Sequence, residues 1–262
     1  MNVSGICFQA FIPMRRDPDE RSEMISQVLY GESFTILENR NILNYSLIHL
    51  DHDDYEGWID SKCISSLTEN DKNYLSSADI EISHNIFSSL KSSKTPFPLI
   101  IGCGSTVRHK EKKVIDLTEN DYSYSENIEK VLIDNLRLNL IKFGQNLVGI
   151  PYLWGGRSGF GIDCSGLCQN LFKQVGIKIP RDSGLQSTIG MNINIEESQA
   201  GDLAFFENQD GKIVHVGMII GQNLILHASG KVRIDKIDSQ GIFSNEMNRY
   251  THKLSVIKKI VD

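Results

Sequence analysis

Between Pro151 and Gly166 the chain reads PYLWGGRSGFGIDCSG, and no other stretch restricts the fold as tightly. Gly155, Gly156 and Gly159 demand a backbone path that a packed helix or strand would not tolerate cheaply. An apolar helical pattern follows from about Cys164 to Val175 and stops at Gly176. Asp163 stands where it can cap that helix, which puts Cys164 in the first turn. There the unpaired amides and the positive dipole end favour a thiolate. Thiols at such sites fall by about one to several pKa units from about 8.5. The same amides are candidates for an oxyanion hole.

A thiol nucleophile needs a base. His215 and His227 each lie in a strand-like run, residues 213–218 and 224–229, joined by a short turn at residues 221–223. A three-residue loop would set both imidazoles on one face as diagonal neighbours, within about 7–8 Å. A two-residue loop without a bulge would set them on opposite faces. Spacing alone leaves three readings open: cysteine catalysis, a structural cysteine with hydrogen-bonded core histidines, and a structural zinc site. The last would use Cys164, Cys168, His215 and His227, at a spacing that matches no standard pattern. Five cysteines with scattered spacing make a poor disulfide framework, so Cys7, Cys63 and Cys103 read as small buried hydrophobes.

The rest of the chain sorts into three segments, expected at residues 1–67, 68–124 and 125–262. In the first, strands at 27–29, 33–38, 46–50 and 57–59 alternate with polar turns, the cadence of a small β-barrel. The second carries strand signals at 80–82, 98–102 and 113–117, with a loop expected at 88–95, and reads as structural. From Ser125 the pattern becomes helical. Ile128, Val131, Leu132, Leu136, Leu140, Phe143 and Leu147 form one apolar stripe, with Ser125 as cap, Glu126 and Glu129 in the first turn, and Gly149 and Pro151 as the stop. Strand-like runs at 202–207, 213–221, 224–228 and 253–261 complete an α+β class. A net charge of −6 leaves no basic stripe for a phosphate backbone, which argues against nucleic acid. Apolar runs such as 97–101 and 216–220 are too short to span a bilayer. Arg15 and Arg16 follow the mildly apolar start instead of preceding it, so no secretory signal is evident and a cytoplasmic location is expected.

The ordered set PYLWGGRSGFGIDCSGL, IPRDSGLQ, AGDLAFF, VHVGMII and LILHASG resembles the NlpC-type (NlpC/p60) family of papain-like bacterial cell-wall cysteine peptidases over about residues 140–262. That resemblance implies a catalytic domain with helices packed on an antiparallel sheet, and a triad of Cys164 as nucleophile, His215 as general base and His227 orienting the base. Tyr152 matches the family tyrosine near the nucleophile, which helps hold the oxyanion. Asp163, Ser165 and Ser183 match substrate-contacting positions, whereas Arg181 and Asp182 read as a structural loop pair.

In the N-terminal half, FIPMRRDPDERSEMISQVLYGESFTILE and DDYEGWID resemble the bacterial SH3-like domains of the subgroup that cuts short wall peptides. The expected architecture therefore has two small SH3-like β-barrels ahead of the peptidase domain, although residues 68–124 match no pattern closely. By motif position Glu23 and Tyr55 correspond to residues that bind the free N-terminal amine of the substrate. The implied activity is a γ-D-glutamyl-L-diamino acid endopeptidase, a hydrolase acting on L-Ala-γ-D-Glu-diaminopimelate-type peptides in cell-wall recycling. That activity needs no metal and no organic cofactor, and a monomer with neither nucleic acid nor membrane as partner is expected. The rivals are an exported hydrolase of intact wall peptides, a non-catalytic wall-peptide-binding module, and an acyltransferase or amidase on the same scaffold.

Overall fold

The structure, a computed structural model, describes residues 4–40, 43–110, 113–115, 117, 122–124 and 135–261. It comprises two compact units, Met1–Glu129 with Arg157–Gly159, and Lys130–Gly156 with Phe160–Asp262.

The first unit is built on two antiparallel sheets. One runs in the order Met24–Leu29, Phe11–Arg15, Glu56–Asp60, Tyr45–Leu50, Ser33–Arg40, Ser4–Ile6, Ser65–Leu67. Period-two alternation decides its inner face. Along Tyr45–Leu50, Ser46, Ile48 and Leu50 are buried, and Ile48 and Leu50 join Ile12, Met14, Val28, Phe34 and Ile59 in the core. The other sheet runs Leu99–Gly102, Phe87–Ser92, Tyr122–Tyr124, Lys113–Val114, Thr106–Lys110, Asp79–Ile82. Its strand Phe87–Ser92 replaces most of the loop expected at 88–95. Ser88 and Leu90 point inward, and the Ser88 hydroxyl is satisfied by Ser83 at 2.8 Å, so a serine-rich sequence conceals a regular strand. Between the sheets, helix Glu69–Ser76 starts in a capping box made by Thr68 and Asp71. Gly31, at φ +74°, lies so close to the second sheet that a Cβ there would sit 1.8 Å from the Thr106 carbonyl oxygen. Within this unit the buried Arg157 guanidinium donates to the Gln27 carbonyl at 2.7 Å and to the Glu32 carboxylate at 3.0 and 3.1 Å.

The second unit places helices Leu136–Asn146 and Cys164–Gln174 together, with the latter packed on strands Ile213–Gly221 and Leu224–Ser229. The first of these helices buries Leu140 and Phe143 of the expected stripe, together with Gly144. The portion expected over 125–134 lies outside the described residues. Gly144 is a close-approach glycine, since a Cβ there would meet Leu226 Cδ2 at 2.5 Å. Helix Cys164–Gln174 ends in a Schellman arrangement. Gly176, at φ +79°, donates to the Lys173 carbonyl and Ile177 donates to that of Phe172. The sheet is antiparallel in the order Met191–Ile193, Arg249–Lys259, Leu203–Glu207, Ile213–Gly221, Leu224–Ser229, Lys231–Ile237, Gly241–Ser244, and the last strand also pairs with Arg249–Lys259. Residues 203–206 are fully buried: Ala204 and Phe206 join Ile219, Ile225, Ile237, Ile242 and Ile257 in one cluster. Among the described residues no helix is long and apolar enough to cross a membrane.

Candidate active site

The start of helix Cys164–Gln174 is fixed by its neighbours' carboxylate and by missing side chains. Asp163 caps the helix through Gly166 N at 2.7 Å and accepts from Gly155 N at 2.9 Å. Arg181, buried to 1 % exposure, completes the cluster by donating to both Asp163 oxygens at 3.1 and 2.5 Å and to Ser165 Oγ at 2.8 Å. The glycines explain themselves here. A Cβ on Gly156 would lie 2.3 Å from the Gly161 carbonyl oxygen, and one on Gly166 would lie 2.2 Å from that of Gly156. Arg181, read from sequence as half of a structural loop pair, is thus a buried cation bound to the Asp163–Ser165 turn that carries Cys164. Asp182 is exposed.

Cys164 is buried, and the backbones of Val216 and Ser165 lie within hydrogen-bonding reach of its thiol. Burial, and after it the Asp163 carboxylate, push the thiol up to about 12, outweighing those backbone groups and Arg181. Desolvation of this thiol therefore works against the thiolate that a helix start favours. Tyr152 is half-buried, and its phenol is raised by burial first and then by Cys164 and Asp163, whose fields reach it.

His215 and His227 meet edge to face, with His215 Nε2 and His227 Nδ1 2.9 Å apart. The hairpin achieves this with a two-residue loop and a bulge. Gly221 pairs with Leu224, the register shifts between Ile219 and Gly221, and Gly217 then pairs with His227. The bulge restores the face that a plain two-residue loop would have reversed. Gly217 leaves room for the second imidazole, since a Cβ there would lie 2.9 Å from His227 Cβ. Burial holds His215 well below the usual imidazole range, with His252 and His227 adding to the shift.

Three further residues of this cluster were not singled out from sequence. Asp235, 5 % exposed, lies 3.0 Å from His227 Nε2 and is itself held by Arg233, whose Nε is 2.7 Å from Oδ2 and whose Nη2 donates to Oδ1 at 3.1 Å. Burial would raise the Asp235 carboxyl, but the bonds from His227 and Arg233 outweigh it and hold the group below its usual range. His252 stacks on His215 with ring centroids 4.1 Å apart, and burial lowers it to about 4. His215, His227 and His252 bring one ring nitrogen each within 4.8 Å of one another. A metal there would have to break both the stack and the His215–His227 hydrogen bond, because stacked rings do not converge their lone pairs on one point. Cys168, the other cysteine of the zinc alternative, is fully buried in the helix.

Ser165 is buried against Asp163 and Arg181, and Ser183 is half-buried at the start of helix Ser183–Gln186. Glu23 and Tyr55 belong to the first unit. Glu23 is ion-paired with Arg16 at 2.6 Å, and Tyr55 packs on the core of the first sheet.

Residues 149–251 match the model of the NlpC/P60 family, and residues 14–64 match that of the bacterial dipeptidyl-peptidase Sh3 domain. The gamma-D-glutamyl-L-lysine dipeptidyl-peptidase of Bacillus subtilis (strain 168) is 46% identical over 92 residues, 34% of this chain and 31% of that protein. Its namesake in Bacillus cereus (strain ATCC 10987 / NRS 248) is 47% identical over 92 residues, 34% of this chain and 28% of that protein. The match thus spans less than a third of these relatives' length. Among solved structures, an NlpC/P60 family protein from Bacillus cereus ATCC 10987 superposes with a TM-score of 0.78 at 19% identity, covering 99% of this chain and 100% of that one. A novel NlpC/P60 endopeptidase from Photobacterium damselae subsp. piscicida gives 0.70 at 17% identity, covering 97% and 70%. At these identities the likeness is one of fold. Residues 149–251 thus form a domain of the NlpC/P60 type, with a domain of the bacterial SH3 type at residues 14–64 ahead of it.

Proposed function

We propose that this protein hydrolyses the bond between γ-D-glutamate and a diamino acid in peptidoglycan-derived peptides, with Cys164 as nucleophile, His215 as general base and His227 orienting it. The observation that carries this reading is a buried thiol at a capped helix start, packed beside the strand whose histidine belongs to a buried hydrogen-bonded chain of imidazoles. The names of the relatives, gamma-D-glutamyl-L-lysine dipeptidyl-peptidases, support the choice of bond.

In this reading the resting pair is a neutral thiol and a neutral imidazole. Because His215 Nε2 is engaged by His227, Nδ1 is the nitrogen that takes the thiol proton as sulfur attacks the γ-carbonyl carbon. The oxyanion is held by the Cys164 amide and the Tyr152 hydroxyl. Collapse breaks the C–N bond, and His215 returns its proton to the departing amine. Water, deprotonated by the same Nδ1, then cleaves the thioester and regenerates the thiol. Asp163, Ser165 and Ser183 are proposed to line the acyl side. Since the Asp163 carboxylate is committed to Gly155, Gly166 and Arg181, its contact with substrate would run through the backbone.

Glu23 and Tyr55 are proposed to bind the free N-terminal amine of the peptide, a carboxylate being a natural partner for an ammonium. Such a requirement suits released wall fragments, and so recycling in the cytoplasm, because muramic acid caps the stems of intact wall. The test incubates the protein and its Cys164→Ala variant with free L-Ala-γ-D-Glu-diaminopimelate and follows products by mass spectrometry. Release of L-Ala-D-Glu by the wild type alone is expected. Cleavage by both proteins would remove Cys164 from the mechanism, and cleavage by neither would overturn the hydrolase reading. Glu23→Ala is expected to raise the Michaelis constant for the free peptide by at least about tenfold, and an unchanged constant would sink the amine clamp.

A further inference from the structure

We propose that Asp235 is a positioning residue that locks the tautomers of His227 and His215, leaving His215 Nδ1 unprotonated and free to act as a base. The catalytic consequence rests on the reading of Cys164 and His215 given above, whereas the lock itself follows from the hydrogen-bond chemistry of three buried groups. His227 is 1 % exposed, Asp235 5 % and His215 6 %, so water does not compete freely for their bonds.

An ionised carboxylate can only accept, and Asp235 is held ionised against its burial by His227 and Arg233. The 3.0 Å contact at His227 Nε2 therefore requires a proton on that nitrogen. With one proton on the ring, His227 Nδ1 carries a lone pair. The 2.9 Å contact from His215 Nε2 then requires the proton to sit on His215 Nε2. One anion at the end of the chain thus dictates the protonation of a ring two residues away from it in the relay. Without that anion, His227 could present either nitrogen as donor, and His215 Nδ1 would carry the proton in part of the population.

The carboxylate also complements the positive charge that reaches His215 when it takes the thiol proton. The charged and titratable groups around this chain are few and come from each packed strand. Arg233 shares its strand with Asp235, His252 stacks on His215 from strand Arg249–Lys259, and Glu246 accepts from Arg233 at 2.9 Å. Arg233 fixes the orientation of Asp235, so that Oδ2 faces His227.

The direct test is nitrogen NMR on histidine-labelled protein, which reads the tautomer of each ring without any substitution. Both His227 and His215 are expected as the Nε2–H form with unprotonated Nδ1. A His227 spectrum with the proton on Nδ1 would overturn the proposal. In Asp235→Asn, loss of the anion is expected to give a mixture of tautomers. It should also lower kcat by about 10³–10⁴-fold, the scale seen when the anion behind a catalytic histidine is neutralised, with KM changed by less than about threefold. Asp235→Glu, which keeps a carboxylate, should recover at least about tenfold of that loss. Wild-type kcat in Asp235→Asn, or no difference between the Asn and Glu variants, would refute the positioning role. If the wild type cleaves no wall peptide, the functional reading falls, and the NMR arm still decides the lock.

Discussion

Removing the cation bound to the turn that carries Cys164 should unfold the second unit far more readily than its position on a loop suggests. In Arg181→Met the apolar volume is largely kept, but the Asp163 carboxylate loses both guanidinium bonds and Ser165 Oγ loses its donor at 2.8 Å. With Arg181 at 1 % and Asp163 at 8 % side-chain exposure, solvent cannot replace what is lost. Breaking a buried ion pair by removing one partner costs about 3–5 kcal/mol. The amides of Gly155 and Gly166 still hold the carboxylate, which favours the lower part of that range. The lost bond to Ser165 Oγ, which keeps its own donation to Asp163 Oδ1, adds about 0.5–1.5 kcal/mol, for a total of about 4 kcal/mol.

At roughly 3–5 °C per kcal/mol for a unit of this size, the expected fall in Tm is roughly 12–20 °C. Differential scanning calorimetry of the full chain reads it, and only the transition of the second unit should move. The double variant Asp163→Asn, Arg181→Met removes the uncompensated charge while Asn can still cap the helix, so it should recover at least about half of the loss. A shift below about 3 °C, or a double variant no better than the single one, would show that the Asp163–Arg181 pair is not what holds the turn.

Three other outcomes follow from the same geometry. With burial pushing the Cys164 thiol up to about 12, only on the order of 10⁻⁵ of it is ionised at pH 7. Its alkylation by iodoacetamide should therefore climb about tenfold per pH unit from pH 6 to 9, and a plateau reached below pH 8 would refute the neutral resting pair. His252→Phe preserves a ring on His215 and should keep kcat within about threefold, whereas His252→Ala should lower it by about 10–100-fold by freeing the imidazole to tilt. Equal activities would show that the stack does not orient the base. Deleting Ile220 removes the unpaired residue but leaves Ile219 opposite Ile225 and Gly217 opposite His227, so both imidazoles should keep their shared face and hydrolysis should persist. Loss of hydrolysis with the far-ultraviolet circular dichroism of the sheet retained would show that the bulge does more than set this pairing.

The parts of the site legible in the sequence were those whose cause is local. A capping aspartate followed by an apolar period marks the start of helix Cys164–Gln174, and Gly176 marks its end. Strand Ile213–Gly221 is visible because its apolar residues form a continuous run. Asp235 and His252 were hidden for physical reasons. In strand Lys231–Ile237 the usual polarity is inverted over two residues: Ile234 is 39 % exposed while Asp235 is buried, so alternation assigns the carboxylate to solvent. Its burial is stable only because Arg233 and His227 satisfy it, and His227 belongs to a neighbouring strand. His252 lies just outside the apolar alternation that announced the last strand, in a part of strand Arg249–Lys259 whose preceding residues Tyr250 and Thr251 are exposed. Arg181 likewise follows a proline and precedes an exposed aspartate, a surface pattern that gives no sign of a guanidinium buried under a helix start.

The pairing of the two imidazoles shows where local reading stops. Loop length and strand period together fix which face a side chain takes only when every residue between is paired. In the hairpin a single unpaired residue changes that parity, so a two-residue loop delivers the geometry that spacing assigns to three. Nothing in residues 213–229 distinguishes the two, because the bulge is chosen by what lies across the sheet. It lets His227 reach Asp235 on one side and His215 on the other, and it lets Ile219 and Ile225 remain in the same apolar cluster. The bulge is thus selected at once by a polar chain completed on the next strand and by an apolar cluster that draws on strands distant in sequence.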